Sequence, residues 1–245
     1  MESSFYISAA LFMILFSVVG FGPSIIDQSR RTAPSTLLVL AHGFAVGAWL
    51  LLFLTQAILV ATGRTAVHRR LGTVGPVLAL LMIVLGFLVL IHFARRGYDF
   101  SGDVIRALSR TGSSRFNPAV ILFPLGELLT FGVLVAAALC YRNRPEIHKR
   151  LMLIAMVPIL VEPILHLVGH LAGRWPTLRG MGTTITGVAT LILLSASALY
   201  DRLSRRQIHP VSVWVPIMLF AWQIALGFIV FPSTAWRKLV NWLIL

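Results

Sequence analysis

Residues 34–62 read PSTLLVLAHGFAVGAWLLLFLTQAILVAT and contain no charged side chain. A helix needs roughly 20 predominantly apolar residues to cross the hydrocarbon core of a bilayer, and this stretch is longer than that. Six further apolar stretches of comparable character follow the same rule, at 5–26, 71–94, 118–141, 151–172, 183–200 and 211–232. The sequence therefore predicts an all-α integral membrane protein, a bundle of seven transmembrane helices.

The composition agrees with that architecture. The chain has 245 residues, of which 58% are hydrophobic and 12% charged, and its mean hydropathy is +0.88. A water-soluble core of this size cannot hide so much apolar surface. The longest polar connection covers about 95–117, so we expect one transmembrane domain over 1–245. Within 97–117, Ser101 is a candidate N-cap before a short apolar face, which predicts an interfacial helix.

The formal net charge of +13 does not indicate nucleic-acid binding, because the basic residues are spread over every loop. Basic loops beside apolar spans are typical of membrane topology and of contact with lipid headgroups. The loops 63–70, 142–150 and 201–210 are short and dense in lysine and arginine, whereas much of the opposite side's basic charge lies in the longest loop. Because charge counts most in short loops, we expect the N-terminus in the cytoplasm.

Two polar stripes run along predicted spans. In the second span His42, Trp49 and Gln56 recur every seven residues and so share one helix face, which should contact other helices rather than lipid. In the fifth span, acidic and imidazole side chains recur every four residues, again on one face. These residues are Glu162, His166 and His170. Pro158 and Pro163 in the same span should kink it.

Five ionisable residues fall at similar depth in one half of the membrane: His42, Glu127, Glu162, His166 and His170. Their spans at 34–62, 118–141 and 151–172 carry no lysine or arginine. An ionisable side chain in hydrocarbon costs at least ~2.5–3.5 kcal/mol, so such residues are functional candidates by default. Each glutamate must be protonated, hydrogen-bonded or bound to a metal.

A second histidine set stands where three spans begin on the other side of the membrane: His68, His148 and His209. Three histidines at one depth are one arrangement that binds a metal. Anchoring at the interface through headgroups or loop carbonyls is the interpretation we favour, because the neighbouring basic side chains repel a divalent cation. Asp201 is expected to end the sixth span or to pair with Arg202 or Arg205.

Several short motifs resemble those of a widespread family of uncharacterised bacterial integral membrane proteins. They are His42-Gly43 with Trp49 and Gln56, Gly63-Arg64, His68-Arg69-Arg70-Leu71-Gly72, Arg144-Pro145-Glu146-Ile147-His148-Lys149-Arg150-Leu151-Met152, Tyr200-Asp201, His209-Pro210 and Trp236. The resemblance covers most of the chain and implies a multi-pass protein of the bacterial inner membrane. It implies no activity, and the stripe at Glu162, His166 and His170 is not part of the pattern.

The five candidates are typical of a cofactor site. Imidazole is the most frequent protein ligand for iron, copper and zinc, and carboxylates complete many such sites. His42, His166 and His170 are the predicted metal ligands, and His42 with His166 would serve for a bis-histidine haem. Glu127 and Glu162 are the predicted catalytic residues, which tune the cofactor or shuttle protons. We expect electron transfer or oxidation of a lipophilic molecule such as a quinone.

Two other functions remain open on the same residues. An intramembrane zinc hydrolase of lipids would use Glu127 or Glu162 to activate a metal-bound water. A transporter, or a structural subunit of a larger membrane complex, would use the cluster without metal as a proton relay or polar clamp. Spacing gives the depth and the face of each residue and does not give its neighbours, so the sequence leaves these alternatives side by side.

Overall fold

A computed structural model describes residues 2–26, 35–96, 118–178 and 180–244. Within these ranges the chain is helical and has no strand. The α-helices, numbered in chain order, are α1 Glu2–Ile26, α2 Leu37–Ala61, α3 Thr65–Gly72, α4 Val74–Arg96, α5 Leu122–Cys140, α6 Pro145–Ile154, α7 Val157–Arg174, α8 Gly182–Arg205, α9 Pro210–Ala225 and α10 Thr234–Ile244. The interfacial helix predicted in the 97–117 loop lies outside the described residues.

Seven helical segments in the described part of the chain are long and apolar enough to cross a membrane. They are Ser4–Pro23, Leu37–Ala61, Thr65–Arg95, Ala119–Cys140, Pro145–Arg174, Gly182–Arg205 and Pro210–Val230. The predicted seven-helix membrane bundle is therefore confirmed, and the protein is a multi-pass membrane protein.

The third and fifth spans begin about one and a half turns earlier than hydropathy predicts. Each opens with a polar helical turn, α3 in the third span and the first half of α6 in the fifth. Pro145 stands in the first turn of α6, where its missing N–H has no intrahelical partner to lose. Charged side chains at a helix end reach the membrane surface, so these turns stay helical although their residues are polar.

The spans alternate in direction, which brings one set of helix ends to the same side. Phe5, near the start of the first span, stacks on Tyr200, near the end of the sixth, with ring centroids 4.0 Å apart. The loops at 62–64, 141–144 and 206–209 lie on that side too. We call this side the N-terminal face and the other side the opposite face.

The fifth span forms the centre of the bundle, since 67% of its most apolar window is buried against 6% for the seventh span. The helix breaks at Ala155–Met156, just before Pro158, which cannot donate a backbone hydrogen bond. Pro163 lies inside α7, and there α1 approaches most closely. A β-carbon added at Gly20 would stand 2.9 Å from the Cα of Pro163, so glycine is required for this helix contact.

The chain closes with two features that hydropathy did not predict. Residues Leu226–Val230 form a π-helical turn at the end of the seventh span, a geometry that often accompanies functional sites. The amphipathic α10 then packs on the opposite face. The indole N–H of Trp236 donates to the carbonyl of Ala119 at 3.0 Å, and Val240 is buried beside them.

Candidate functional site

His42 lies one and a half turns into α2, counted from the opposite face, and points into the bundle between α4 and α5. Its Cε1 atom lies 3.2 Å from the point that a β-carbon at Gly86 would occupy, and the side chain of Leu128 meets the same point. Gly86 thus makes room for the imidazole. The Nδ1 atom of His42 is buried and has no hydrogen-bond partner among the described residues.

A partnerless nitrogen in this position is costly. A buried polar atom that gives up water without gaining a protein hydrogen bond loses about 1–3 kcal/mol. The known neighbours of the His42 ring, Gly86 and Leu128, carry apolar side chains or none. A nitrogen lone pair held in that way is available to a metal ion, which is the chemistry predicted for His42.

The two predicted carboxylates, Glu127 and Glu162, lie on α5 and α7. Glu127, on α5, accepts a hydrogen bond from the side-chain amide of Gln223 on α9. The negative charge of Glu162, on α7, acts on Glu127, and the Glu162 side chain is exposed. The amide of Gln223 thus links the seventh span to the fourth.

The surroundings of this pair are shaped by the seventh span. α9 begins against α6 and α8 at the N-terminal face, and its continuation ends against α5, where the side chain of Leu226 fills the space left by Gly126. Gln223 stands one turn before the π-helical turn. The wider turn lets the last part of the seventh span follow α5, and this holds Gln223 at the depth of Glu127.

His166 and His170 lie apart from His42. His166 is only 4% exposed, and its ring lies 4.9 Å from that of Phe21, so it is turned toward α1. α1 packs along both α2 and α7. His170, one turn further toward the opposite face, is half-buried. His42 instead faces α4 and α5.

The structure thus gives two of the predicted imidazole ligands different neighbours, with His42 beside Gly86 on α4 and His166 beside Phe21 on α1. Among the residues that the structure describes, no three side chains of histidine, cysteine, aspartate or glutamate come close enough together to hold a metal ion. The assignments of His42, His166 and His170 as metal ligands, of His42 with His166 as haem ligands, and of Glu127 and Glu162 as catalytic residues remain predictions.

An apolar groove lies at the depth of His42 on the outer side of the α2–α4 pair. It encloses about 610 Å³ and is lined by aliphatic side chains and one aromatic ring. The lining side chains include Leu40, Phe44, Leu81 and Leu85. Phe44 is 81% exposed, so the groove opens toward lipid and is one helix layer away from the imidazole.

The N-terminal face carries a buried ion pair that the sequence did not predict. The guanidinium of Arg150 donates two hydrogen bonds to Asp201, one of them from Nε at 3.0 Å, and both side chains are 1% exposed. Asp201 therefore pairs with a residue of the fifth span rather than with Arg202 or Arg205. This contact links α6 to α8.

The remaining oxygen and nitrogen atoms of this pair are also satisfied. Ser212 donates to Asp201 at 2.8 Å and bonds Ser197 at 2.9 Å. Glu146 accepts from Arg150 at 2.7 Å, and from Lys149 and Arg205 at 2.5 Å each. A buried ion pair is tolerated only when its hydrogen-bonding capacity is met in this way. We call the side chains in this network the polar knot: Glu146, Lys149, Arg150, Ser197, Asp201, Arg205 and Ser212.

His209 caps α9 beside the polar knot. Its backbone N–H donates to Asp201 at 3.2 Å, and its Nδ1 accepts from the N–H of Val211 at 3.2 Å. An acceptor nitrogen must be unprotonated. Burial first, and then the positive charge of Arg150, lower the pKa of His209 from its ordinary 6.5, so the neutral ring suits the cap.

Comparison of the chain with protein-family models, with curated proteins and with solved structures gave no match. The resemblance to uncharacterised bacterial membrane proteins therefore rests on the sequence motifs alone. In the structure several of those motifs converge, because Glu146, His148, Arg150, Asp201 and His209 all lie at the N-terminal face.

Proposed function

We propose that this protein holds a redox cofactor, haem or a transition-metal ion, in the half of the membrane near the opposite face. The cofactor would transfer electrons to or from a lipophilic molecule such as a quinone. The observation that carries the proposal is the buried Nδ1 of His42, which has no hydrogen-bond partner among the described residues. Imidazole nitrogen suits iron, copper and zinc alike.

Quinol oxidation also requires a proton acceptor, and the two carboxylates are the candidates for that role. Oxidation of a quinol releases protons together with electrons, and inside hydrocarbon they need a nearby acceptor. Two carboxylates in an apolar span without basic residues are costly when both are ionised, so one of them is stabilised by taking up a proton. The charge of Glu162 acts on Glu127, so protonation of one carboxyl favours ionisation of the other.

The lipophilic partner has a route to this half of the bundle. The groove beside Phe44 opens toward lipid at the depth of His42, and apolar grooves of a few hundred Å³ suit small ligands. The basic loops of the N-terminal face favour a cytoplasmic N-terminus, and the motif resemblance favours the bacterial inner membrane.

The test is a redox titration of protein purified in detergent from cells supplied with iron, copper and zinc. We expect the oxidised and reduced absorption spectra of the wild type to differ, and a ubiquinol analogue to drive the change. Glu127→Gln and Glu162→Gln should keep the amplitude of the change and slow its rate ~100-fold, the contribution of a positioned proton acceptor. His92→Leu, a histidine of α4 nearer the opposite face, is the matched control.

A wild-type protein with no redox-active signal under these conditions contradicts the proposal. So does a signal whose amplitude and rate are the same in the wild type and in the two glutamate variants.

A second candidate is a proton-coupled carrier that uses the same carboxylates without metal. It is favoured by one observation, the exposed side chain of Glu162, whose charge acts on Glu127, since a carboxylate open to the membrane suits a cationic lipophilic substrate. Proteoliposomes containing a pH-sensitive dye separate the two functions. Proton uptake on adding a lipophilic cation, lost in Glu162→Gln and insensitive to chelators, supports the carrier.

A further inference from the structure

A second groove lies between α1 and α8, in the half of the membrane near the N-terminal face. It encloses about 280 Å³. Residues of α1 from Phe5 to Met13 line one wall, and Leu193, Ala196 and Ser197 of α8 line the other. The fifth span forms the floor, because α1 and α8 both pack along it. We call this cleft the α1–α8 groove.

The α1–α8 groove is bridged at one end and open at its side. Phe5 stacks on Tyr200 with ring centroids 4.0 Å apart, so these two rings join α1 to α8 at the end nearest the N-terminal face. Further into the membrane Phe12, which also lines the groove, is 46% exposed. A side chain exposed at that depth faces lipid, so a ligand of this groove would enter from the bilayer.

The length and lining of the groove suit a hydrocarbon chain. Phe5 and Met13 are eight residues apart, which is ~12 Å along a helix, and one half of the hydrocarbon core of a bilayer is ~15 Å thick. All the lining side chains are apolar except Ser8 and Ser197, and the hydroxyl of Ser197 is hydrogen-bonded to Ser212 at 2.9 Å. One acyl chain lying parallel to the helices therefore matches the space.

A lysine stands above the floor of the groove. Lys149 lies one helical turn from Leu153, which lines the floor, on the same face of α6 and nearer the membrane surface. Its ammonium group is bonded to Glu146 at 2.5 Å, and its side chain remains 23% exposed. A positive charge is thus placed where the headgroup of a lipid in the groove would lie.

The rest of the N-terminal face is strongly basic. The segments 63–70, 142–150 and 201–210 together carry ten lysines and arginines and two carboxylates. Both carboxylates, Glu146 and Asp201, are paired with cations inside the polar knot. Basic side chains next to a membrane span attract anionic lipid headgroups, so the charge of this face selects among lipids.

We propose that the α1–α8 groove binds one anionic phospholipid of the bilayer, with an acyl chain in the groove and the phosphate group at Lys149. Because Ser197 belongs to the polar knot, the bound chain adds a layer of hydrocarbon over that network. The site lies in the other half of the membrane from His42 and does not depend on the cofactor proposed above.

The test is native mass spectrometry of delipidated, full-length protein titrated with dioleoyl phosphatidylglycerol or dioleoyl phosphatidylcholine, which have the same chains and different charges. The wild type should hold one phosphatidylglycerol and prefer it roughly five-fold or more, the contribution of one basic side chain near an anionic lipid. An excess of glycerol 3-phosphate, which carries the phosphate without a chain, should not displace it.

Two variants address the two parts of the site. Ala196→Leu fills the groove and should lose the species with one bound lipid, whereas Ala136→Leu, at an exposed alanine of α5, should bind like the wild type. Lys149→Gln should lose most of the preference for phosphatidylglycerol. Arg142→Gln, at an exposed arginine of the same face, should keep it.

Three results would overturn the site. The first is a wild type that binds the two lipids equally, and the second is displacement by glycerol 3-phosphate. The third is a pair of variants, Ala196→Leu and Lys149→Gln, that bind phosphatidylglycerol as the wild type does.

Photo-crosslinking of the wild type gives a reading that does not depend on how the variants fold. Phosphatidylglycerol with a photoreactive acyl chain should label peptides of α1 and α8 that line the groove. Labelling spread over the lipid-facing helices without enrichment at these two walls contradicts the proposal.

Discussion

The polar knot and the surroundings of His42 differ in how far the hydrogen-bonding capacity of their buried polar groups is met. In the polar knot, Arg150 and Asp201 are buried and their hydrogen bonds are satisfied by each other, by serine hydroxyls and by backbone. Near the opposite face His42 keeps a buried nitrogen that has no hydrogen-bond partner among the described residues. Satisfied polar groups fix helix packing, whereas unsatisfied ones are retained at a cost that a ligand or proton can offset.

Breaking the polar knot should have the largest effect. Asp201→Leu leaves the Arg150 guanidinium buried without its carboxylate, and losing one partner of a buried pair costs about 3–5 kcal/mol. We expect a large fall in the thermal midpoint and in the yield of monodisperse protein. Arg150→Met combined with Asp201→Leu should recover much of the loss, because no buried charge remains. A single variant as stable as wild type would contradict the structural role.

Overpacking the close contact between α1 and α7 should cause the second-largest loss of stability. Gly20→Ala adds a β-carbon against the backbone of Pro163, where backbone cannot move aside, and overpacking of this kind costs about 1–3 kcal/mol. Gly22→Ala is the matched control, since nothing lies within 4 Å of its added carbon. Thermal unfolding of both variants decides the matter, and equal midpoints would refute the close approach of these helices.

Removing the imidazole of His42 should raise the free energy of unfolding, whereas the two preceding changes lower it. His42→Leu eliminates a buried nitrogen that has no partner in the part of the chain that the structure describes. Replacing such a group by an apolar side chain of similar size stabilises by about 1 kcal/mol. We therefore expect the metal-free variant to unfold at a higher temperature than the metal-free wild type. A clear loss of stability would mean that the ring serves packing.

Replacing Glu127 by glutamine should hardly change the free energy of unfolding. In Glu127→Gln the side-chain oxygen still accepts from the Gln223 amide, so we expect a change within about 0.5 kcal/mol. Redox or transport rates should fall in the same variant. A Glu127→Gln variant that unfolds at a temperature several degrees below that of the wild type would assign Glu127 a structural role.

The smallest effect concerns pH. Because the pKa of His209 is lowered in the folded protein, the unfolded chain binds more protons as the pH falls below about 6.5, and folding stability falls with it. Between pH 7 and pH 5 the thermal midpoint of the wild type should fall further than that of His209→Asn. Parallel curves for the two proteins would exclude His209 as the source.

Hydropathy sufficed for the seven spans, because in hydrocarbon every backbone group must be satisfied within the helix. It misplaced the starts of the third and fifth spans, because polar turns at the membrane surface are helical without being apolar. It also missed α10, which is too short to span. The amphipathic spacing of Trp236 and Val240 was the signal that could have found that helix.

The site was predicted less completely than the fold. Depth and helix face follow from spacing. Neighbours do not follow from spacing: His42 faces Gly86 whereas His166 faces Phe21, because α1 packs along both helices that carry them. Arg150 and Asp201 are 51 residues apart, and arginines adjacent to Asp201 in sequence made nearer partners look equally good.

The most direct measurement is the metal and haem content of the wild type and of His42→Leu, prepared side by side from cells supplied with iron, copper and zinc. The wild type should carry a redox-active metal or haem near the opposite face. His42→Leu should lose one equivalent and remain folded. Equal content of every metal and of haem in the two proteins would contradict the central claim that the lone imidazole of His42 is kept for a cofactor.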